Sequence, residues 1–159
     1  MDTRNEDTAR YSNAKNACTL FLRLALAASF LSAVADRFGL WGPAGKSSVA
    51  WGNFANFEAY TALLNGFLPH NWIPTLAWVD TALEVLFGIL LFLGLATRLT
   101  ALASGILLLL FALAMTFSTG VESALSYSVF TASAGAFLLA FSGPYCWSID
   151  NLGKRKKTA

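Results

Sequence analysis

The amino-acid sequence predicts an all-α membrane protein: a four-transmembrane-helix bundle with an additional amphipathic interfacial helix in the first outer loop. Its 159 residues are 56% hydrophobic and 13% charged, and the mean hydropathy is +0.56. Roughly half of a soluble protein is apolar as well, so the distribution of the charges is decisive, and they cluster at the ends of apolar segments. Four segments approach the ~20 apolar residues that cross a hydrocarbon core of about 30 Å. The sequence therefore predicts a lipid bilayer as the surroundings of the chain.

The predicted spans lie near residues 17–38, 73–95, 98–118 and 124–142. The third, LTALASGILLLLFALAMTFS, carries no charge. The turn GLATR, with Thr97 and Arg98 on the predicted cytoplasmic side, joins the second and third spans and makes them antiparallel neighbours. Small residues recur every four positions in the fourth span, at Ser128, Ala132, Ala136 and Ala140. Such a stripe lets another helix approach closely, either within the chain or in a second subunit.

Lysine and arginine residues near the span ends predict the orientation. One side carries Arg4, Arg10, Lys15, Arg98, Lys154, Arg155, Lys156 and Lys157. The other side carries Lys46 and Arg37, so the positive-inside rule places both termini in the cytoplasm. We expect a flexible cytoplasmic arm over residues 1–15, a transmembrane domain over 16–152 and a basic cytoplasmic tail over 153–159. Because no basic folded domain accompanies the tail, we interpret it as an anchor near anionic headgroups, with no nucleic acid as partner.

The first apolar segment has an alternative interpretation as a signal peptide. The stretch SAVAD, from Ser32 to Asp36, offers an A-x-A-like cleavage site. Arg23 interrupts the apolar core that a signal peptide needs, and the first fifteen residues mix acids with bases. We therefore favour an uncleaved helix.

A long outer connection separates the first two spans. It starts with the turn region LWGPAGKSS and continues with a predicted helix from Ala50 to Leu68. An apolar stripe runs along this helix at Phe54, Phe57, Thr61, Leu64 and Leu68. This pattern is typical of a helix in the plane of the membrane interface. Aromatic residues gather in the same region, at Trp41, Trp51, Tyr60, Trp72 and Trp78. We interpret them as an interfacial belt, with a ligand-stacking cluster as the alternative.

Five ionisable residues lie inside the spans or at their edges: Arg23, Asp36, Arg37, Asp80 and Glu84. An unpaired charge at the centre of a helix costs roughly 2.5 to 3.5 kcal/mol on insertion scales. These side chains must therefore face the bundle interior, pair with one another or become neutral. Asp80 and Glu84 are four residues apart and share one helical face, which Gly88 continues. Arg23 and Arg37 also share a face of the first helix.

The spacing predicts a polar seam inside the bundle, where the two acids meet the two arginines. The preferred pair is Asp80 with Arg37. Unless Arg23 reaches Glu84, we expect Glu84 to be able to bind or pass a proton. The seam then serves a ligand, a quinone headgroup or a proton. The alternative is a buried pair that only specifies helix register.

Cofactor and metal motifs are missing from the sequence. It contains no G-x-G-x-x-G, no Walker loop, no H-E-x-x-H and no flavin or nicotinamide fingerprint. His70 is the single histidine and lies outside the spans, so it cannot supply both axial ligands of a haem within the bundle. No cluster of residues predicts a metal site. The cofactor, if there is one, is unknown at this point.

Three sequence pieces resemble the DoxX family of small bacterial four-helix membrane proteins, over roughly residues 17 to 152. The run from LFLRLAL to AVADRF is similar to the family's arginine-bearing helix with its GxDK-like end, where Arg37 replaces a lysine. The segment ALEVLFGILLFLGLATRLTAL is similar to the family's glutamate helix and T-R turn. The segment SGPYCWSID is similar to its terminal GPG-x-x-S-x-D, with Pro144 and Tyr145 in place of Pro-Gly.

The resemblance implies a bacterial inner-membrane protein that is connected, in some relatives, to sulfur and quinone redox work and to oxidative-stress complexes. An accessory or structural subunit of a membrane redox assembly is the first hypothesis. A quinone-linked oxidoreductase, such as a thiosulfate:quinone oxidoreductase subunit, is the second, with quinone entering from lipid beside Glu84 and Asp80. A small-molecule or proton permease is the third. Redox partner subunits or further copies of the chain are the expected partners, and whether the protein is an enzyme stays open.

Overall fold

The computed structural model describes residues 3–151, with side chains from Glu6 onwards. In this range the chain is helical and contains no strand. The helices are α1 (Thr3–Arg37), α2 (Phe54–Leu64), α3 (Ile73–Leu93), α4 (Thr97–Thr119), α5 (Val121–Ser126) and α6 (Val129–Phe141), with a 3₁₀ turn at His70–Trp72 before α3. The predicted basic tail over residues 153–159 lies outside the described residues, as do Met1 and Asp2.

Three of these helices are long and apolar enough to cross a membrane. The qualifying segments are Glu6–Arg37, His70–Leu93 and Thr97–Thr119. They coincide with the first three predicted spans. Each of them has large apolar side chains on its surface, including Phe21 at 76% and Phe117 at 85% exposure. In water such side chains would be a liability, whereas in lipid they are the expected surface.

The fourth predicted span is confirmed only as a shorter helix. Instead of one segment over residues 124–142, α5 ends at Ser126 and α6 begins at Val129, which leaves α6 with 13 residues. Ser128 lies between them with φ of +55°, a left-handed conformation that cannot continue an α-helix. The high average hydropathy of residues 124–142 does not reveal this break in the helix.

The predicted arm over residues 1–15 continues α1 where the structure describes it, because this helix already begins at Thr3. Between Glu6 and Lys15 the side chains are exposed. Helical structure here therefore does not depend on tertiary packing, and the flexibility of the arm stays a prediction.

Helix packing follows two main pairs, α4 with α6 and α1 with α3. The core between them contains Leu26, Ala27, Phe30, Leu91, Ala101, Ala136, Leu139 and Ala140. The small residues of α6 contribute directly, since Ala136 and Ala140 are buried and Ala132 packs against the same cluster. Gly105 of α4 lets the ring of Phe137 come close to its backbone. The close approach predicted for the small-residue stripe thus takes place within this chain.

Helix α2 is shorter than the predicted segment from Ala50 to Leu68. The side chain of Asn53 caps its N-terminus by accepting a hydrogen bond from Asn56 N at 2.9 Å. The predicted apolar stripe is confirmed at Phe57, Thr61 and Leu64, which are buried against the bundle. This packing places α2 over the C-terminal ends of α1 and α4 and the N-terminal part of α3.

Candidate functional site

A buried arginine lies between two carboxylates at the end of α1. Arg37 is 2% exposed. Its Nη2 lies 2.7 Å from Oε2 of Glu84, and its Nη1 lies 3.4 Å from Oδ2 of Asp80. The same Nη1 donates a hydrogen bond to Oγ1 of Thr81 at 2.9 Å. The predicted pair of Asp80 with Arg37 is therefore present, and Glu84 joins it on the same guanidinium.

The helical period of α3 explains why three residues converge on one guanidinium. Residues three and four positions apart lie on one face of a helix, and Asp80, Thr81 and Glu84 are all buried on the face towards α1. The hydroxyl of Thr81 donates to the carbonyl of Ala77 at 2.8 Å. Its lone pairs are thereby directed towards Arg37, which fixes the guanidinium relative to the backbone of α3.

Two aromatic rings cover the guanidinium from the side of α2. The Cζ atom of Arg37 lies 3.6 Å from the ring centroid of Phe57 and 5.4 Å from that of Trp51. The two rings contact each other edge to face, with centroids 5.3 Å apart. A guanidinium over an aromatic face gains cation–π attraction, most strongly where water is excluded. The site is thus bounded by carboxylates on α3 and by rings on α2 and the preceding loop.

Asp36, the neighbour of Arg37, contacts the loop instead of the other acids. Its Oδ2 accepts hydrogen bonds from Ala50 N at 3.1 Å and from Trp51 N at 2.7 Å. Charge-assisted bonds to backbone N–H groups are stronger than neutral ones. Asp36 therefore holds the backbone of Trp51 in the position from which its ring reaches the guanidinium.

Arg23 belongs to a second polar cluster, at the opposite end of the bundle. Its Nη2 donates to the carbonyl of Trp147 at 2.8 Å. Asp150, close by, accepts hydrogen bonds from the backbone N–H groups of Ala96 and Thr97, each at 2.7 Å. These contacts clamp the C-terminal segment onto the turn between α3 and α4. The predicted seam with both arginines is not formed, because Arg37 alone reaches the two acids.

Buried polar atoms remain without a hydrogen-bond partner around Arg37. Within the described residues these include Oδ1 of Asp80, Nε of Arg37 and Oδ1 of Asp36. Such atoms are costly in an apolar interior. The arrangement offers one unused donor and unused acceptors, which suit a proton or a small polar group.

Three residues of the site are not among the predicted site residues: Thr81, Phe57 and Trp51. Phe57 is predicted as part of the apolar stripe, and Trp51 as part of an interfacial belt. A sequence signal for this contact exists, because an arginine ends the first span and an aromatic segment follows it. Such a pattern indicates that aromatic rings can cover the guanidinium. Thr81 has its own signal, because it is three residues before Glu84 on the same helical turn.

Comparison with known proteins relates the sequence of the chain to a family. The DoxX family model matches residues 18–118. The matched range contains Asp36, Arg37, all of α3 and α4 up to Ser118, and it ends before α6. No curated protein and no solved structure matches the chain.

Proposed function

Since this chain belongs to the DoxX family, as the match over residues 18–118 establishes, we propose that it is an accessory or structural subunit of a membrane redox assembly in the bacterial inner membrane. In this proposal α1, α3, α4 and α6 cross the bilayer, α2 lies in the outer interface and both termini face the cytoplasm. Arg10 and Lys15 in the N-terminal part of α1, and Arg98 in the first turn of α4, support that orientation. The redox role is supported by the resemblance to a family in which some members are connected to sulfur and quinone redox work.

The observation that carries the proposal is the buried Arg37 between Asp80 and Glu84. With both acids ionised, this cluster has one positive and two negative charges. An unbalanced charge in a low-dielectric interior is unfavourable, and a single proton on the acid pair makes the cluster neutral. We therefore assign the cluster the role of holding one exchangeable proton, shared by the two carboxylates.

The position of the cluster suits proton exchange with the outer side of the membrane. Asp80 and Glu84 lie roughly 10 and 17 Å from the start of α3, at 1.5 Å per residue. The rings of Phe57 and Trp51 lie between the guanidinium and the outer loop. A small movement of this loop would give water access to the acids. The hydrogen bonds from Ala50 N and Trp51 N to the Asp36 carboxylate would have to lengthen or break in that movement.

Infrared difference spectroscopy on the protein in nanodiscs tests the proton site directly. Between acidic and alkaline buffer we expect a carboxyl C=O band that is altered in both Glu84→Gln and Asp80→Asn. A shared proton requires that each substitution changes the band. The matched control is Glu122→Gln, which removes an exposed acid and should leave the band unchanged. A spectrum in which no band responds to either substitution contradicts the proton site.

Native mass spectrometry of the protein, purified in mild detergent from its own host, tests the accessory role. We expect a complex with at least one further subunit of a redox assembly. Arg37→Leu serves as a variant with a disrupted site, and the complex should survive in it if the role is structural. A bare monomer from every preparation contradicts the subunit proposal, whatever the infrared spectra show.

A quinone-linked oxidoreductase is the second candidate, favoured by the unpaired atoms at the site. Nε of Arg37 can donate to a quinone carbonyl, and Oδ1 of Asp80 can accept from a quinol hydroxyl. We expect quinone to co-purify with the protein, and Asp80→Asn to retain less of it. Extraction of the purified protein followed by chromatography measures the content. Equal quinone content in the wild type and Asp80→Asn removes this candidate.

A further inference from the structure

A groove at the end of the bundle opposite to Arg37 has no role in the proposed function. It lies between the first turn of α4, the last turn of α6 and the segment that follows α6, and its volume is about 640 Å³. Its lining includes Arg98, Phe141, Tyr145 and Asp150. Helix ends in a membrane protein lie at the level of the lipid headgroups. The groove is therefore placed where a headgroup can enter it.

Two cations stand at this groove. The guanidinium of Arg98 lies over the ring of Phe141, with Cζ 5.8 Å from the centroid. Lys15 reaches over from α1, and its Nζ lies 3.5 Å from the carbonyl oxygen of Gly143 on the groove wall. Both side chains are exposed. Each cation thus contacts a residue of the groove lining, Phe141 or Gly143. Guanidinium and ammonium groups are the side chains that bind phosphate oxygens.

The lining also contains one acidic side chain, Asp150, against the two cations. Asp150 accepts hydrogen bonds from Ala96 N and Thr97 N, and it also faces the buried charge of Arg23. The hydroxyl of Tyr145 donates to the carbonyls of Leu139 and Ala140. Burial raises the pKa of Tyr145, so this side chain adds no negative charge at neutral pH. The two cations, Arg98 and Lys15, outnumber the single carboxylate of Asp150, so the net charge at the groove is positive.

Apolar walls accompany the positive charge. Leu99 and Phe141 are each 70% exposed and border the groove on the side that faces the surroundings of the bundle. A molecule that combines an anionic phosphate with hydrocarbon chains matches both features. The chain's own C-terminal residues do not, because the sequence after Asn151 carries four basic residues within residues 154–157, which the cations at the groove would repel.

We propose that this groove is a binding site for one anionic phospholipid, with the phosphate between Arg98 and Lys15 and the acyl chains along Leu99 and Phe141. This site is independent of the Arg37 cluster. The affinity of the groove for a lipid depends on the net negative charge of the lipid headgroup, since the attraction comes from basic residues near it. A zwitterionic lipid offers the same phosphate with a compensating charge and should bind more weakly.

The test uses the full chain in nanodiscs made of phosphatidylcholine with a minor fraction of phosphatidylglycerol. After release into detergent, native mass spectrometry counts the lipids that stay bound. We expect one retained phosphatidylglycerol in the wild type, and an affinity lowered roughly fivefold by either Arg98→Gln or Lys15→Gln. The control is Arg10→Gln, which removes the same charge from the exposed part of α1 and should leave retention unchanged.

Three results would overturn the proposal. Equal retention of phosphatidylcholine and phosphatidylglycerol would show that charge does not select the occupant. An equal loss of phosphatidylglycerol in Arg10→Gln would show that the lipid is attracted by the overall positive charge of the protein and not by this groove. A chain truncated after Asn151 should keep its phosphatidylglycerol, and loss of the lipid in this variant would assign the binding to the basic tail. Thermal unfolding of each variant confirms that the fold is retained.

Discussion

Replacing Arg37 by leucine provides the sharpest test of the site geometry. The substitution removes the ion pairs to Glu84 and Asp80 and the hydrogen bond to Thr81. Removal of one partner from a buried ion pair typically costs about 3 to 5 kcal/mol, because the remaining charges are left uncompensated. We expect the free energy of unfolding of Arg37→Leu to fall by about that amount at neutral pH.

Neutralising the acids should restore most of this loss. In Arg37→Leu combined with Asp80→Asn and Glu84→Gln, no charge remains in the cluster. Replacing a buried ionic group as a whole is often neutral or stabilising. We therefore expect the triple variant to be more stable than Arg37→Leu alone, which makes the substitutions strongly non-additive.

The assay is reversible unfolding by sodium dodecyl sulfate in mixed micelles, followed by the fluorescence of the five tryptophans. Arg98→Leu is the matched control, because Arg98 is exposed and contacts only the ring of Phe141 at 5.8 Å among the interactions described. Such a contact is worth about 1 kcal/mol or less. Equal losses in Arg37→Leu and Arg98→Leu, or a triple variant as unstable as the single one, would refute the reasoning.

Three further substitutions probe other contacts of the fold. Asp36→Asn weakens the bonds to the loop, each worth about 1.5 to 3 kcal/mol when charged, and should expose Trp51 to acrylamide quenching. Gly94→Ala places a Cβ 2.6 Å from Arg23 Nη1 at φ of +68°, and left-handed strain alone costs about 1 to 3 kcal/mol in the unfolding assay. Gly88→Ala brings a Cβ to 2.8 Å from the side chain of Leu31, and this overpacking of α1 on α3 should cost about 1 to 3 kcal/mol in the same assay.

Each of these three substitutions has a matched control variant elsewhere in the chain. Asp150→Asn also weakens a carboxylate that binds two consecutive backbone N–H groups, so it should destabilise the protein without changing the quenching of Trp51. Gly120 also has a positive φ, of 92°, but the Cβ of Gly120→Ala would meet no atom within 4 Å. The Cβ of Gly66→Ala would meet only the carbonyl oxygen of Ala62 at 4.0 Å. A loss in Gly94→Ala no larger than in Gly120→Ala would contradict the close contact with Arg23. A loss in Gly88→Ala no larger than in Gly66→Ala would contradict the tight packing at Leu31.

Local sequence features predicted the α3 side of the site well. The apolar run predicted near residues 73–95 defines α3 to within about two residues. The four-residue spacing of Asp80 and Glu84 places both acids on one face, and the cost of unpaired charge in lipid demands a cation opposite them. The preferred pairing of Arg37 with Asp80 is present in the structure, whereas the pairing of Arg37 with Glu84 was not predicted.

The contacts of the segment that follows α6, and the break before α6, could not be predicted from local sequence features. Arg23 is about 21 Å along α1 from Arg37, and its partner is a main-chain carbonyl of Trp147. A carbonyl has no side-chain signature, and residues 142–151 have no periodicity that predicts where they pack. Ser128 is a similar case, since an average over about 20 residues cannot detect one left-handed residue.

The shortness of α6 has a consequence for the surrounding membrane. Thirteen residues of helix extend about 20 Å, roughly a third less than the hydrocarbon thickness of an average bilayer. In the proposed four-span arrangement this hydrophobic mismatch affects only the α6 side of the α4–α6 pair, because α4 has 23 residues. Thin bilayers should accordingly favour the native packing of α4 with α6, and thick ones should strain it at the junction with α5.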